Sequence, residues 1–186
     1  YILTGYFNLV KMLELALHDG FDPRTGKRIG ARTVDPSAFA TFDALFAAFE
    51  AQVRHVLDIK IRGNQIIERL CATRMPHLFL SVITDDCIAQ GRDYNAGGAR
   101  YNNRYIQGVG IGSLTDALAA IRTVAFEEKR LGRADLVHAT EAHFAGHAEL
   151  RLRLVNCVPK YGNDDERADV LMRRAFEAFF AAVDGR

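Results

Sequence analysis

The most regular hydrophobic pattern of the chain lies between residues 39 and 56. Its large apolar residues recur at intervals of three and four positions: Phe39, Phe42, Phe46, Phe49, Val53 and Val56. Such spacing places side chains along one face of an α-helix, and a face this apolar belongs to a core. We therefore predict a helix over about residues 37–74, capped by Ser37, with Gly63 as the place where it would break.

Weaker periodicity predicts the elements around this helix. Residues 6–18 carry apolar side chains at helical spacing, whereas residues 20–36 are rich in Gly, Pro and charge and predict a surface loop. The apolar run 78-LFLSVI-83 fits a short helix or a strand, and residues 85–90 predict a brief helix. These segments indicate a chain that is mostly helical.

The second half of the chain adds a strand to this picture. Residues 104–111 predict a strand after a stretch rich in Gly and Asn. Ser113 and Asp116 have the spacing of a capping box at the start of the next helix. Helices are expected over about residues 114–130, 133–155 and 165–183. The predicted fold class is α/β, mostly helix with a strand or two.

Composition and charge exclude several classes of protein. The chain has 186 residues, of which 49% are hydrophobic and 25% charged, enough for one domain with a core. Its formal net charge of +1 gives no field that would attract nucleic acid or an anionic membrane. No apolar run approaches the length of a membrane span. We expect neither a nucleic-acid partner nor a membrane.

The cysteines point to a reducing compartment. There are three of them, Cys71, Cys87 and Cys157, widely spaced and without a CxxC pair. An odd number at such spacing does not suit a disulfide framework or a structural zinc site. We therefore predict a cytoplasmic protein without a bound metal.

The two ends of the sequence suggest a piece of a longer protein. The chain opens with YILTGYF, without an initiator Met or the charged region of a signal peptide, and closes within the helical pattern FEAFFAAVDGR. The expectation is an internal fragment whose function belongs to its parent.

Two patterns have the look of an anion site. The run 108-GVGIGS-113 joins a predicted strand to a predicted helix, where backbone N–H groups attract phosphate. The dinucleotide motif requires Gly where Ser113 stands, so close packing of strand and helix is the better interpretation. Arg100, Tyr101 and Arg104 could also contact an anion, but nothing in the sequence fixes them around one site.

Histidines and paired acids are the remaining candidates for chemistry. His143 and His147 are four apart on a predicted helix, a spacing that can hold a metal, but HFAGH lacks the glutamate of HExxH. A solvated helix face is the favoured interpretation. The acids of 85-DD-86 and 164-DDE-166 stand at predicted helix starts, where carboxylates interact favourably with the helix dipole.

Three longer stretches together identify a family. They are 6-YFNLVKMLELALHDGFDPRTGKRIG-30, 97-GGARYNNRYIQGVGIGSLTDALAAIRTVAFEEKR-130 and 159-PKYGNDD-165. In order and character they resemble the glycyl radical enzymes related to pyruvate formate-lyase, over nearly the whole chain. Within the family, YILTGYFN and the Gly/Asn-rich segment look most like the branch that dehydrates trans-4-hydroxy-L-proline.

The resemblance implies a fold and a chemistry. Such enzymes are ten-stranded α/β barrels, so residues 1–186 would be an internal part of one barrel domain. Val109 and Ile111 would then lie on a barrel strand, with the helix of residues 114–130 packed outside it. A glycyl radical, installed by an S-adenosylmethionine- and iron–sulfur-dependent activating enzyme, passes to a cysteine that abstracts hydrogen from the substrate. No metal is bound by the enzyme itself, and family members are commonly homodimers.

The residues that carry this chemistry in the family are absent from the chain. It contains neither the Gly-Cys-Val-Glu motif of the radical cysteine, expected upstream, nor the R-V-x-G-Y glycyl loop, expected downstream. No catalytic residue is therefore assigned, and the chain alone is expected to be inactive. The resemblance implies that Tyr6 faces the substrate pocket, with a core tyrosine as the alternative. Asn102 and Gln107 are weaker candidates, for which buried loop hydrogen bonding is favoured.

The resemblance also decides how to interpret 156-NCVPKYGNDDE-166. Pro159, Lys160 and Tyr161 to Asp164 carry the family match, whereas Cys157 lacks the flanking Gly and Glu of the radical motif. We predict that Cys157 is a buried, inert residue, that Pro159 and Gly162 shape a turn, and that Asn163 or Asp164 caps the last helix.

Several functions stay open at this point. The leading one is a fragment of a glycyl radical dehydratase or lyase that cleaves a C–X bond in a small polar metabolite, with hydroxyproline as the first candidate substrate. Pyruvate formate-lyase proper, a diol dehydratase, and a sulfonate or amine lyase are alternatives within the family. The alternative from another class is a non-catalytic helical binding module.

Overall fold

The computed structural model describes residues 2–35, 38–129 and 131–184. In that part of the chain the helices are α1 to α8 in sequence order: Leu9–Leu17, Phe42–Arg74, Leu78–Ile83, Cys87–Gln90, Ile111–Ile121, Arg133–Glu141, Ala148–Asn156 and Glu166–Val183. The strands are β1 to β4: Ile2–Asn8, Phe21–Asp22, Lys27–Arg28 and Arg104–Val109. The prediction of a mostly helical chain with few strands is confirmed.

The first segment differs from its prediction. Residues 2–8 form β1, and the helix starts only at Leu9, so the helix predicted over residues 6–18 begins three residues too early. Asn8 is the reason, because its side-chain oxygen accepts a hydrogen bond from the Lys11 backbone N–H at 3.2 Å and caps α1. Before it, Tyr6 is exposed and Phe7 buried, which is the alternation of a strand.

The predicted loop of residues 20–36 contains a small hairpin. β2 and β3 pair antiparallel, with Phe21 opposite Arg28. Gly20 has φ +76°, and a Cβ there would lie 2.2 Å from the Ala31 carbonyl oxygen, so only glycine fits this close approach. The prediction of a surface loop is confirmed for residues 23–29, which are exposed, whereas Gly20 and Gly30 are buried where the ends of the hairpin meet.

The aromatic stripe forms part of a core, as predicted. Phe39, Phe46, Phe49 and Val53 are buried, and Phe42 and Val56 are half-buried. Helix α2 runs without interruption through Gly63, so the suggested break does not occur. The predicted cap, Ser37, lies outside the described residues; the Thr41 hydroxyl instead accepts from the Ala44 N–H at 3.2 Å, immediately before the helix.

The middle of the chain resolves one alternative and corrects one detail. The run of residues 78–83 is a helix, α3, and residues 87–90 form the brief helix α4. β4 confirms the strand predicted over residues 104–111 except at its end, because Ile111 already belongs to α5 rather than to a strand. The capping box is not formed: Gly110, at φ +86°, precedes the helix and Ser113 lies inside it.

Two of the three helices predicted after β4 have different bounds in the structure. α5 continues into a π-helical segment, Arg122–Glu127, and stops before residue 130. The helix predicted over residues 133–155 is two helices, α6 and α7, because His143, Phe144 and Gly146 take left-handed backbone angles between them. α8 matches its prediction, but Asp165, not Asn163 or Asp164, caps it through the Arg167 N–H at 3.0 Å.

The predicted burial of Cys157 is wrong. Cys157 is exposed and follows the last residue of α7. Its neighbour Val158 is buried instead, packed with Ala120 and Val124 of the helical segment that α5 begins. The side chain that fills the core at this corner is therefore one residue farther along the chain.

The chain divides into two compact units. The small unit consists of Leu57–Gly108 and the residues before Asn8; the large unit consists of Asn8–Val56 and the residues after Gly108. In the large unit α5 packs against α1 and α8. The described sheets are two-stranded, β1 with β4 and β2 with β3, so the ten-stranded barrel of the prediction is not shown in these residues.

Candidate functional site

The open face of the β1–β4 sheet carries the residues singled out by the resemblance. Tyr6 is 67% exposed, whereas the next residue, Phe7, is 3% exposed. On β4 the exposed residues are Tyr105 and Gln107, and Ile106 between them is half-buried. Because side chains alternate across a strand, we assign Tyr6, Tyr105 and Gln107 to the uncovered face of this sheet. Within the described residues the Tyr6 side chain is not part of a core, and its place in a pocket wall stays a prediction.

Sequence reasoning anticipated this face only in part. Asn102 and Gln107 are both exposed among the described residues, and the buried hydrogen-bonding role favoured for them stays a prediction. Tyr105 was missed altogether. Its alternation with Ile106 was visible in the sequence, but which face stays open depends on the pairing of two strands that are about a hundred residues apart.

The Gly/Asn-rich loop before β4 is held by a carboxylate. Asp93 accepts hydrogen bonds from the Ser81 hydroxyl at 2.7 Å and from the His77 and Asn95 backbone N–H groups at 2.9 and 2.8 Å. The Ser81 hydroxyl and these N–H groups stabilise the charged form and lower the pKa of Asp93. Gly98 packs so closely that a Cβ would lie 2.1 Å from the Arg92 carbonyl oxygen. The loop therefore has a fixed shape.

One of the cations suspected of binding an anion, Arg100, is paired with a carboxylate. Arg100 donates two hydrogen bonds of 2.8 Å to the carboxylate of Asp86. This bidentate pair raises the pKa of Arg100 and lowers that of Asp86. Asp86 thus serves Arg100 and makes no side-chain cap at α4. Tyr101 is exposed, and the side chain of Arg104 lies outside the described residues.

The glycine run between β4 and α5 lies next to Tyr161 of the PKYGND segment. At Gly112 a Cβ would lie 3.5 Å from the Tyr161 ring, and the Tyr161 backbone N–H donates to the Asp116 carboxylate at 2.9 Å. The PKYGND segment therefore lies against the first turns of α5. This contact joins two of the stretches that carry the family resemblance, and the close-packing role of the glycines stays a prediction.

The histidine pair does not have helical geometry. His143, at φ +50°, and His147 lie in the turn between α6 and α7, so they do not stand one turn apart on a common helix face. Among the described residues no group of three or more His, Cys, Asp or Glu side chains is placed to hold a metal ion.

One large cavity of the described chain was not anticipated. It is an open, mostly apolar groove of about 990 Å³ in the large unit, bordered by α1, α5, α6 and α7. At its rim His18 contacts the Glu14 carbonyl oxygen at 2.7 Å and the Glu141 carboxylate at 3.0 Å. Tyr6 and Gln107 do not line it. It brings together residues far apart in sequence, so no local pattern signals it.

Comparison with known proteins decides the family. A family model described as pyruvate formate lyase-like matches residues 1–186. The chain belongs to the pyruvate formate lyase-like family. The resemblance to glycyl radical enzymes inferred from the three sequence stretches is therefore confirmed.

Similar proteins of this family include dehydratases. The chain is 48% identical over its whole length to trans-4-hydroxy-L-proline dehydratase of Clostridioides difficile, covering 24% of that protein. It is 32% identical to (2S)-3-sulfopropanediol dehydratase of Klebsiella oxytoca over 98% of the chain, or 22% of the relative.

Solved structures agree with the sequence matches. The crystal structure of the C. difficile hydroxyproline dehydratase, with trans-4-hydroxy-L-proline bound, matches with a TM-score of 0.96 over 100% of this chain and 24% of that one. The B12-independent glycerol dehydratase of Clostridium butyricum, solved with glycerol bound, matches at 30% identity with a TM-score of 0.89, over 97% of this chain and 23% of that one.

The match covers a limited part of each relative. The chain spans about a quarter of the length of the curated relatives it matches. Its sequence contains neither a Gly-Cys-Val-Glu nor an R-V-x-G-Y motif. None of the described helices is both long and apolar enough to cross a bilayer.

Proposed function

We propose that this chain is an internal part of a glycyl radical enzyme that removes water from a small polar metabolite, with trans-4-hydroxy-L-proline as the first candidate. The observation that carries the proposal is the match to hydroxyproline dehydratase, 48% identical over the whole chain with a TM-score of 0.96. The two other relatives described above, (2S)-3-sulfopropanediol dehydratase and the B12-independent glycerol dehydratase, are named as dehydratases of other small polar compounds.

The radical chemistry would come from residues outside this chain. In the family a glycyl radical, made under anaerobic conditions by an iron–sulfur activating enzyme, supplies a cysteine thiyl that abstracts hydrogen. Such a radical requires a closed pocket from which water and stray hydrogen donors are excluded. The contribution of this chain is then to form part of the wall of that pocket and to hold it rigid.

Tyr6 is the residue we assign to the pocket wall. It is two-thirds exposed on a short strand, and the chain beside it is fixed by buried Phe7 and by the Asn8 cap of α1. A phenol presented in this way offers an apolar ring and a hydroxyl that can donate or accept a hydrogen bond. Such a group can orient a substrate hydroxyl or carboxylate. Gln107 on the paired strand is a second polar group on the same open face.

Turnover by the full-length protein tests the substrate assignment. The protein is activated anaerobically by a matching activating enzyme and supplied separately with trans-4-hydroxy-L-proline, glycerol, (2S)-3-sulfopropanediol, and pyruvate with coenzyme A. We expect a product lighter than hydroxyproline by one water, detected by mass spectrometry, and no comparable turnover of the others. Turnover of another compound alone would move the assignment to that branch, and formate from pyruvate would identify a formate-lyase.

The partners follow from the same proposal. The full-length protein would act in the cytoplasm on a small molecule, depend on a radical S-adenosylmethionine activating enzyme, and form a homodimer. A gene that encodes no radical cysteine motif before this segment and no glycyl loop after it would instead support a non-catalytic binding module.

A further inference from the structure

The second half of α2 exposes an apolar stripe. Ile59, Ile66, Ile67 and Leu70 are 48%, 62%, 52% and 53% exposed, and all of them belong to the small unit. With Gly63 they follow the spacing i, i+4, i+7, i+8 and i+11, which places them on one face of the helix. The face extends over about 16 Å of helix length.

The small unit has almost no core of its own. Among the described residues, its buried hydrophobic residues are Phe7, Leu57, Cys87 and Ala99, whereas all the others lie in the large unit. Its helix α3 buries none of its residues, and Phe79 there is 76% exposed. Yet α3 is held firmly, because Ser81 and the His77 N–H both donate to Asp93. A fixed conformation without a core indicates that apolar partners outside these residues stabilise the unit.

We propose that the stripe of Ile59, Gly63, Ile66, Ile67 and Leu70 docks an amphipathic helix of the same polypeptide that lies outside these 186 residues. The relatives that match this chain over its whole length are about four times as long, so most of their polypeptide is available as a partner. They also share its conformation, with TM-scores of 0.96 and 0.89. A partner provided within each relative's own chain would explain both facts.

The shape and charge of the stripe define the occupant. A stripe with helical spacing pairs with another helix, whose side chains enter its grooves along the axis. At Gly63 a Cβ would meet nothing within 4 Å, so the partner can approach the α2 backbone closely there. Arg62 and Arg69 are exposed along one border of the stripe. The docked helix should therefore have an apolar face with Asp or Glu on the side that meets these arginines.

Site-specific photocross-linking in the full-length polypeptide tests the docking. p-Benzoylphenylalanine replaces Ile67 in one variant and Gln65 in a matched control. Gln65 is exposed on the same helix and, at about 100° per residue, lies well off the stripe. We expect irradiation to give an intramolecular cross-link from position 67 to a peptide outside residues 1–186, at a yield several times that from position 65.

Other outcomes would overturn the proposal. A cross-linked product of twice the mass would show that a second copy covers the stripe. Cross-links confined to residues 1–186, or equal yields at the two positions, would show that no outside helix docks there. Cross-linking does not require the radical, so its result is independent of the turnover assay. Failure of the docking proposal can therefore be distinguished from failure of the proposed function.

Discussion

Gln52 provides a sharp test of how the hairpin loop is held in the large unit. Its side chain is fully buried and reaches from α2 to Ala31, accepting from the Ala31 N–H and donating to the Ala31 carbonyl, both at 2.8 Å. The amide thus makes the two hydrogen bonds that a neighbouring strand would make. Gln52→Leu keeps the approximate volume of the side chain and removes both bonds.

The expected cost follows from the two bonds. Each hydrogen bond is worth about 1 kcal/mol net, and each buried backbone group left without a partner costs about 1–3 kcal/mol more. Ala31 is half-buried, so water satisfies part of what is lost. We expect Gln52→Leu to lower the free energy of unfolding by about 2–4 kcal/mol.

Two measurements check this value. Urea unfolding gives the change in stability, and hydrogen exchange at the Ala31 amide reports the local opening. Gln65→Leu on the exposed side of the same helix is the matched control and should change stability by no more than about 0.5 kcal/mol. If Gln52→Leu were as mild as Gln65→Leu, with unchanged exchange at Ala31, the clamp would not hold the loop.

The remaining predictions concern acid, the core and the substrate. The hydrogen bond from Lys11 lowers the pKa of Asp22 from 3.8 to about 2. The stability that the charged Asp22 carboxylate contributes is therefore present above pH 3.8 and lost as the pH falls through about 2. The difference in urea midpoint between the wild type and Asp22→Asn should shrink between those pH values. Leu118→Ala, at a fully buried position, should lower the free energy of unfolding in urea by about 3–5 kcal/mol. Leu152→Ala, on the exposed side of α7, should lower it by less than about 1 kcal/mol. Equal losses in the two variants would contradict the assigned core. In the full-length enzyme Tyr6→Phe should lower kcat/KM up to about tenfold, the value of one neutral hydrogen bond. Tyr101→Phe, at an 80% exposed position, should leave kcat/KM unchanged, and equal effects of the two would remove Tyr6 from the pocket wall.

Strong local periodicity predicted the elements that depend on it. The stripe from Phe39 to Val56 was predicted because its six apolar residues have helical spacing, and four of the six are buried. The strand at Tyr6 was missed because Phe7 lies at helical spacing from Val10 and Leu13, so it was assigned to the helix that follows. Only pairing with β4, far along the chain, makes residues 2–8 a strand.

Other errors have the same origin in long-range packing. The Ala-rich sequence around His143 and Phe144 gives no local signal that these residues adopt left-handed backbone angles, which divide the predicted helix into two. Burial of Val158 rather than Cys157 depends on where Ala120 and Val124 lie. The candidate site divides in the same way: a family resemblance supplied Tyr6, whereas the exposure of Tyr105 and Gln107 on β4 is visible only in the structure.

The central claim, that these residues belong to a glycyl radical enzyme, is tested most directly by electron paramagnetic resonance. The full-length protein is activated anaerobically, frozen and measured, with a second sample grown on glycine deuterated at its α-carbon. We expect a doublet from a backbone glycyl radical in the first sample. In the second sample the doublet should collapse to a single line, because the splitting comes from the α-hydrogen. A persistent absence of the doublet, with an activating enzyme that is competent on a known substrate protein, would contradict it.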